Sequence, residues 1–288
     1  MEKIRKAVIL CAGFATRFLP ETKVVAKELL PLYNKPVVEH IVNGLIDAGV
    51  EEICFVIRKG KESILRHFTR DKKWEKHMKD SDKSHFDKYE KIKFCVRYQK
   101  APLGTGNALL SAKDFCDKTF FLLNGDEVIM HPVSPAKQML DFWTKHKCCV
   151  MGVKQVKKCD VTKYGMLDYT QKSKVKEIKK IVEKPPILST PSTIANIGIY
   201  ILSPEFLRQI STKTEKEVPI TDAINTFVQD HKMHALTISG TRYDMGSPLT
   251  YVLSNFDYCF HHPDTHKPTK KWIERYFFEK NHKKNQKV

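Results

Sequence analysis

The stretch that most constrains this chain is residues 7–31. An unbroken apolar run, residues 7–11, leads directly into Ala12-Gly13-Phe14-Ala15-Thr16-Arg17-Phe18-Leu19-Pro20, then Thr22-Lys23 and Lys27-Glu28-Leu29-Leu30-Pro31. A short run with no polar interruption reads as a strand buried on both faces, as parallel sheets require. The glycine beyond it sits where α/β proteins place ligands, past the carboxyl end of a strand. Small residues let backbone N–H groups approach a polyphosphate, and Arg17, Lys23 and Lys27 supply compensating charge. The loop is neither Gly-Lys-Ser/Thr nor G-x-G-x-x-G. Taken alone, it also fits an ordinary turn.

The pattern downstream sets the fold class. Residues 36–48 carry Val37, Val38, Ile41, Val42, Leu45 and Ile46 at helical spacing, closed by Gly49. Residues 53–57 read as a strand and 63–68 as the start of a helix, so the chain opens as a doubly wound α/β sheet. Residues 69–91 are charged and lack a clear period; they read as a surface insertion, helical in part. Strands are expected at 92–96, 120–123 and 148–153, and helices at 104–115 and 135–145. The second half offers strands at 165–169, 175–182, 194–202 and 235–238, and helices at 205–210, 221–228 and 248–260. Residues 1–262 form the main domain on this reading and 263–288 a basic helical tail. Its stripe of Trp272, Ile273, Tyr276 and Phe277 is expected to pack on the body or on a partner subunit.

Composition narrows the class. With 41% hydrophobic residues among 288, the chain has material for a substantial core. No run approaches the roughly 18 apolar residues of a membrane span, and residues 7–12 read as a strand and not a signal-peptide core. A cytoplasmic protein is expected. The 8 cysteines include no C-x-x-C, which argues against structural zinc. Cys11, Cys54 and Cys95 fall in strand-like runs and read as buried free thiols. The net charge of +17 rests on dispersed lysine. It reads mainly as a solvated surface with a local excess at a phosphate site, since readers of nucleic acid favour arginine and interleaved aromatics.

The loop resembles the signature of bacterial UTP–glucose-1-phosphate uridylyltransferases and their thymidylyl relatives: a glycine loop, Thr16-Arg17, Leu19-Pro20, Thr22-Lys23, then Lys27-Glu28 before a Leu-Pro. The similarity continues in order through Gly246. It implies a Rossmann-like α/β fold with a mostly parallel, mixed central sheet flanked by helices and a smaller β-rich sugar-binding part. It also implies a Mg2+-dependent reaction of UTP with glucose 1-phosphate to give UDP-glucose and pyrophosphate, in a homodimer or homotetramer. Arg17, Lys27 and Lys184 would be catalytic. Ala12, Gly13, Glu28, Gln99 and Gly104 would bind the nucleotide, with Gln99 reading uracil. Gly165, Glu183 and Gly198 would contact glucose, and Asp126 and Asp244 would hold the metal. Each has a plainer reading: Asp126 as a turn cap, Glu183-Lys184 as a surface pair, Asp244 as a helix N-cap. Alternatives of function are a dTTP-dependent enzyme, a non-catalytic nucleotide-sugar sensor and a nucleic-acid binder.

Three positions depart from the family pattern. Ala15 stands where a second glycine is usual, and a Cβ at positive φ costs about 1–2 kcal/mol. Ala26 replaces a usual proline. Asn124-Gly125-Asp126 replaces the Pro-Asp common in the uridylyl branch and is closer to the thymidylyl spelling.

Overall fold

The computed structural model of the chain describes residues 3–172, 175–212 and 216–285. Strand β1 (Lys6–Leu10) is followed by the glycine loop and three single-turn 3-10 helices, then by the short hairpin β2 (Pro31–Leu32) and β3 (Lys35–Pro36). Next come α1 (Val37–Asp47), β4 (Glu52–Ile57), α2 (Ser63–His67), the short helices α3 (Lys72–Glu75), α4 (Asp80–Ser84) and α5 (Asp87–Glu90), and β5 (Lys93–Tyr98). The middle of the chain gives α6 (Gly104–Leu110), β6 (Phe120–Asn124), β7 (Glu127–Met130), α7 (Pro135–His146) and β8 (Cys149–Gln155). The remainder gives β9 (Gly165–Lys172), β10 (Val175–Glu183), β11 (Ile194–Leu202), α8 (Ile220–Asp230), β12 (Met233–Thr237), β13 (Thr241–Asp244), α9 (Pro248–His261) and α10 (His266–Asn285).

Among the described residues, nine strands form one sheet in the order β5-β4-β1-β6-β11-β8-β12-β10-β9. Strands β5, β4, β1 and β6 are parallel neighbours, so their carboxyl ends open on one edge. Alternate side chains feed two cores: Ala7, Ile9, Ile53 and Phe55 join α1 and α7 on one face, while Val8, Leu10, Cys54 and Val56 join α6 and α8 on the other. The expected mixed α/β sheet is therefore present, as three layers. Strand β11 runs antiparallel to both β6 and β8. Its first half thus lies at the carboxyl end of β6, and its added pairing with β9, Ala195 to Met166, folds the β9–β10 hairpin toward the same edge.

One expectation changes. Helix α6 stops at Leu110, and the chain continues as turns that bury Phe115 and Cys116 against the sheet. The 69–91 segment, which carries α3, α4 and α5, is docked to the body: Tyr89 is buried against Phe68 and donates to Asn43 Oδ1 at 3.0 Å, and His85 Nε2 lies 3.0 Å from Glu39 Oε1. Trp272, Tyr276 and Phe277 stay exposed, and Trp272 stacks on Tyr276 at 5.6 Å. Cys11 and Cys54 are buried thiols as expected, and Cys95 on the edge strand is only partly covered. No described helix is long and apolar enough to cross a membrane.

Candidate active site

The glycine loop leaves β1 with the Cys11 N–H bonded to the Val56 carbonyl at 2.8 Å. Ala15 takes φ 53°, in the left-handed region. Its carbonyl accepts from the Phe18 N–H at 2.9 Å and from the Thr22 hydroxyl at 3.1 Å, and these bonds hold the strained residue in place. Arg17 reaches across to the Gly246 carbonyl at 3.4 Å. Lys27 opens a 3-10 turn and forms an ion pair with Asp126, at the carboxyl end of β6. Burial pushes the Asp126 carboxyl up, but the Lys27 ammonium outweighs it and holds the group below the usual aspartate value. Burial likewise pushes Lys27 down, and Asp126 with Glu28 leaves it raised.

Gly125 explains how these parts come so close. Its N–H donates to the Leu10 carbonyl at 2.9 Å, and a Cβ there would stand 2.5 Å from Cys11 Sγ. Gly13, Lys27, Glu28, Gln99, Gly104 and Asp126 consequently line a single cavity of about 350 Å³. On its far side, Gln99 follows β5 and donates from Nε2 to the Gly104 carbonyl and to Asn107 Oδ1, both at 3.0 Å. Gly104, at φ 84°, lies so near Val218 that a Cβ would sit 2.8 Å from its carbonyl oxygen.

A second cavity of about 540 Å³ adjoins the first, sharing Thr105, Asn124 and Glu217 with it. Gly165, Glu183, Lys184 and Gly198 line it. A Cβ at Gly165 would stand 2.8 Å from Glu183 Oε2. Gly198, at φ 68° in the irregular part of β11, packs on the Asn124 amide so closely that any side chain would overlap it. Burial raises the Glu183 carboxyl above its ordinary value, although Lys184 opposes this. Lys184 is itself a non-glycine at positive φ, 45°, with its N–H on the Tyr164 carbonyl at 3.0 Å. Such conformations persist where surrounding structure enforces them, and they cluster at functional sites.

The ribbon β7–β13 borders the second cavity through Glu127, while Asp244 lines neither cavity. Its register sets Asp244 opposite Glu127, next in sequence to Asp126. Asp244 Oδ1 accepts from the Gly246 N–H at 2.8 Å. Arg242 grips Glu127 through two bonds of 2.6 and 2.8 Å and donates to the Tyr164 hydroxyl at 2.9 Å. Burial nevertheless pushes the Glu127 carboxyl up to about 7, aided by the charges of Asp126 and Asp244. No group of three or more His, Cys, Asp or Glu residues suited to a metal occurs among the described residues. Two carboxylates on one edge do suit Mg2+, which takes one or two from protein and its other oxygens from phosphate and water.

Two basic residues escaped the sequence reading. Lys61, buried with Glu28, donates to both its oxygens at 2.8 and 2.9 Å and to the Cys11 carbonyl at 2.7 Å. It braces the glycine loop from beneath. Burial raises the Glu28 carboxyl, with Lys61 and Lys27 opposing. Arg58, just past β4, lies with its guanidinium 4.7 Å from the Phe14 ring centroid. Neither carries a local sequence signal; each is one cation among 50.

A sheet edge that brings a phosphate-type loop, a carboxylate and an adjoining polar pocket together is the design of a nucleotidyl-transfer enzyme. The nucleotidyl transferase family model matches residues 6–259, and the chain belongs to that family. It is 34% identical to the UTP–glucose-1-phosphate uridylyltransferase of Staphylococcus epidermidis, over 96% of this chain and 99% of that one. A solved UDP-glucose pyrophosphorylase complexed with UDP-glucose superposes with a TM-score of 0.81 at 32% identity, over 88% of this chain and 98% of that one. The UTP-bound enzyme of Acinetobacter baumannii gives 0.83 at 28% identity, over 94% and 98%. The resemblance read from the glycine loop is thereby borne out.

Proposed function

We propose that this chain transfers the uridylyl group of UTP to glucose 1-phosphate, releasing pyrophosphate and forming UDP-glucose, with Mg2+ as the divalent ion. The observation that carries this reading is the pair of joined cavities, one holding Gly13, Lys27 and Asp126 and the other Glu183 and Lys184. It agrees with the ligands named for the two solved relatives, UDP-glucose and UTP.

The sugar-phosphate oxygen attacks the α-phosphorus in line; the bond to the bridging oxygen breaks, and pyrophosphate leaves with the electron pair. A phosphate monoester is already ionised near neutral pH, so no general base is required, and catalysis is positioning plus charge neutralisation. Lys184 brings in the nucleophile. Backbone N–H groups at Ala12 and Gly13, with Arg17 and Lys27, receive the triphosphate. Asp126 and Asp244 would hold Mg2+, which when bound offsets the charge that develops on the phosphates. Lys27 exchanges Asp126 for phosphate as the nucleotide enters. Glu28 acts through the loop, since Lys61 occupies both its oxygens. Gln99 spends both amide hydrogens on Gly104 and Asn107, leaving Oε1 as an acceptor. That acceptor suits the imide N–H of uracil or thymine and disfavours cytosine, whose N3 is itself an acceptor. Gly165, Glu183 and Gly198 frame the glucose.

Pyrophosphate release with glucose 1-phosphate and UTP, dTTP or CTP, each with Mg2+ or a chelator, tests the proposal. Turnover should be highest with UTP, absent with CTP and abolished by chelation. Preference for dTTP would move the chain to the thymidylyl reading that Asn124-Gly125-Asp126 favours. UDP-glucose binding with no turnover would make it a sensor.

A further inference from the structure

Arg58 stands beside the phosphate loop with nothing to hold. Strands β4 and β1 are parallel with Val56 level with Leu10, so the chain past β4 runs alongside the loop past β1. Other arginines of this protein are held by acids: Arg5 by Glu51, Arg97 by Asp114, Arg242 by Glu127. Arg58 has no carboxylate within ion-pair reach and no hydrogen bond among the described residues, and its Nε is buried without an acceptor. Its one partner is the face of Phe14, which is 49% exposed and lines the nucleotide cavity. A cation–π contact engages the guanidinium plane and leaves the in-plane N–H fork unmatched. Buried donors left unmatched are rare and costly. A guanidinium fork held rigidly by an aromatic face is suited to bidentate phosphate binding.

We propose that Arg58, seated on Phe14, forms a separate anion site at the lip of the glycine loop for the terminal phosphates of the nucleoside triphosphate and for the pyrophosphate released from them. The assignment rests on the nucleotidyl-transfer reading of the cavity but not on the identity of the base. Lys27 and Asp126 lie on the opposite side of the loop, at the end of β6, where the reacting phosphate belongs. Arg58 lies on the β4 side of the loop, away from that end. On this assignment Arg58 meets only phosphate, so its contribution should scale with the number of phosphates beyond the first.

Calorimetric titration of the full chain with UMP, UTP and inorganic pyrophosphate, for wild type, Arg58→Ala and Arg58→Lys, tests this directly. In Arg58→Ala, affinity for UTP and pyrophosphate should fall about 10–100-fold, the scale of one charge-assisted bidentate contact, and UMP affinity should stay within about twofold. Arg58→Lys, which keeps the charge and loses the fork, should fall between. The thermal midpoint should move little, since the side chain makes no hydrogen bond in the free protein. Equal losses for UMP and UTP, or no loss for either, would overturn the site. A parallel titration with dTTP and ATP separates this claim from the choice of nucleotide. Should wild type prefer another triphosphate while Arg58→Ala still weakens triphosphate and pyrophosphate, the base assignment fails and the anion site stands.

Discussion

The two walls of the cleft hold their charged groups ready by different means. On the nucleotide wall, Lys27 is paired with Asp126 and Lys61 with Glu28, so these charges are balanced inside the protein before any substrate arrives. On the sugar wall, Lys184 makes no ion pair or hydrogen bond through its ammonium among the described residues, and a left-handed backbone sets its direction. At Lys61 and Glu28 the charges are paired inside the protein, whereas at Lys184 backbone strain sets the direction of a single charge. Substitutions of Lys61 or Glu28 should therefore be read mainly in stability, and those of Lys184 mainly in turnover.

The sharpest way to break that contrast is Lys61→Met. It leaves Glu28 buried and unpaired, and should cost about 3–5 kcal/mol of unfolding free energy by urea titration. Adding Glu28→Gln should recover most of the loss; no recovery would show that the pairing is not what stabilises this wall. Lys184→Ala and Lys184→Gly should each lower turnover about 10²–10³-fold, the scale of one key electrostatic contact. Only the glycine variant should also gain stability, by up to about 1 kcal/mol, because it relieves the backbone. A large stability loss in either would erase the distinction between the walls.

The walls should also answer pH with opposite signs. The depressed Asp126 carboxyl contributes stability above its ordinary value of 3.8 that is lost as pH falls through its folded value. Glu127, raised from 4.5 to about 7, keeps a proton in the folded state that the unfolded chain releases. Its stabilising contribution is complete below pH 4.5 and is lost as pH rises to about 7, by at most about 3 kcal/mol. Urea titrations across that window should show the decline in wild type and a flatter profile in Glu127→Gln. The smallest effect belongs to Ala15→Gly, which should raise stability by about 1 kcal/mol, or about 2–4 °C in thermal midpoint. A decrease would mean that the methyl group at 15 contributes packing that outweighs its strain.

Much of this molecule is legible from local pattern. The run at 7–11 and the spacing at 36–48 name their elements because burial on a sheet or a helix face imposes a period, and the order of motifs named many of the residues that line the two cavities, though Arg17 and Asp244 line neither. What could not be read depends on contacts distant in sequence. Strands β7 and β13 are four residues each, too short to show alternation, and they exist because residues 127–130 and 241–244 pair across more than a hundred positions. Lys61 and Arg58 matter through what stands opposite them. The docking of 69–91 hangs on Tyr89 and His85 within it and on Asn43 and Glu39 of the distant helix α1, which its own charged pattern does not announce. The possibility raised for Ala15, a positive φ, did follow from the loop's spelling, since a glycine-rich turn implies backbone geometry that its replacement must adopt.

Gly125 has a consequence for how sequences of this family can drift. Its missing side chain is the room that the sulfur of Cys11 occupies. Positions 11 and 125 thus share one allotment of volume, and enlargement of either requires shrinkage of the other or separation of β1 from β6. Related chains with a bulkier residue before the aspartate should carry a compensating change on the first strand. A Gly125→Ala substitution made without one should move Asp126 away from the loop and not simply loosen the core.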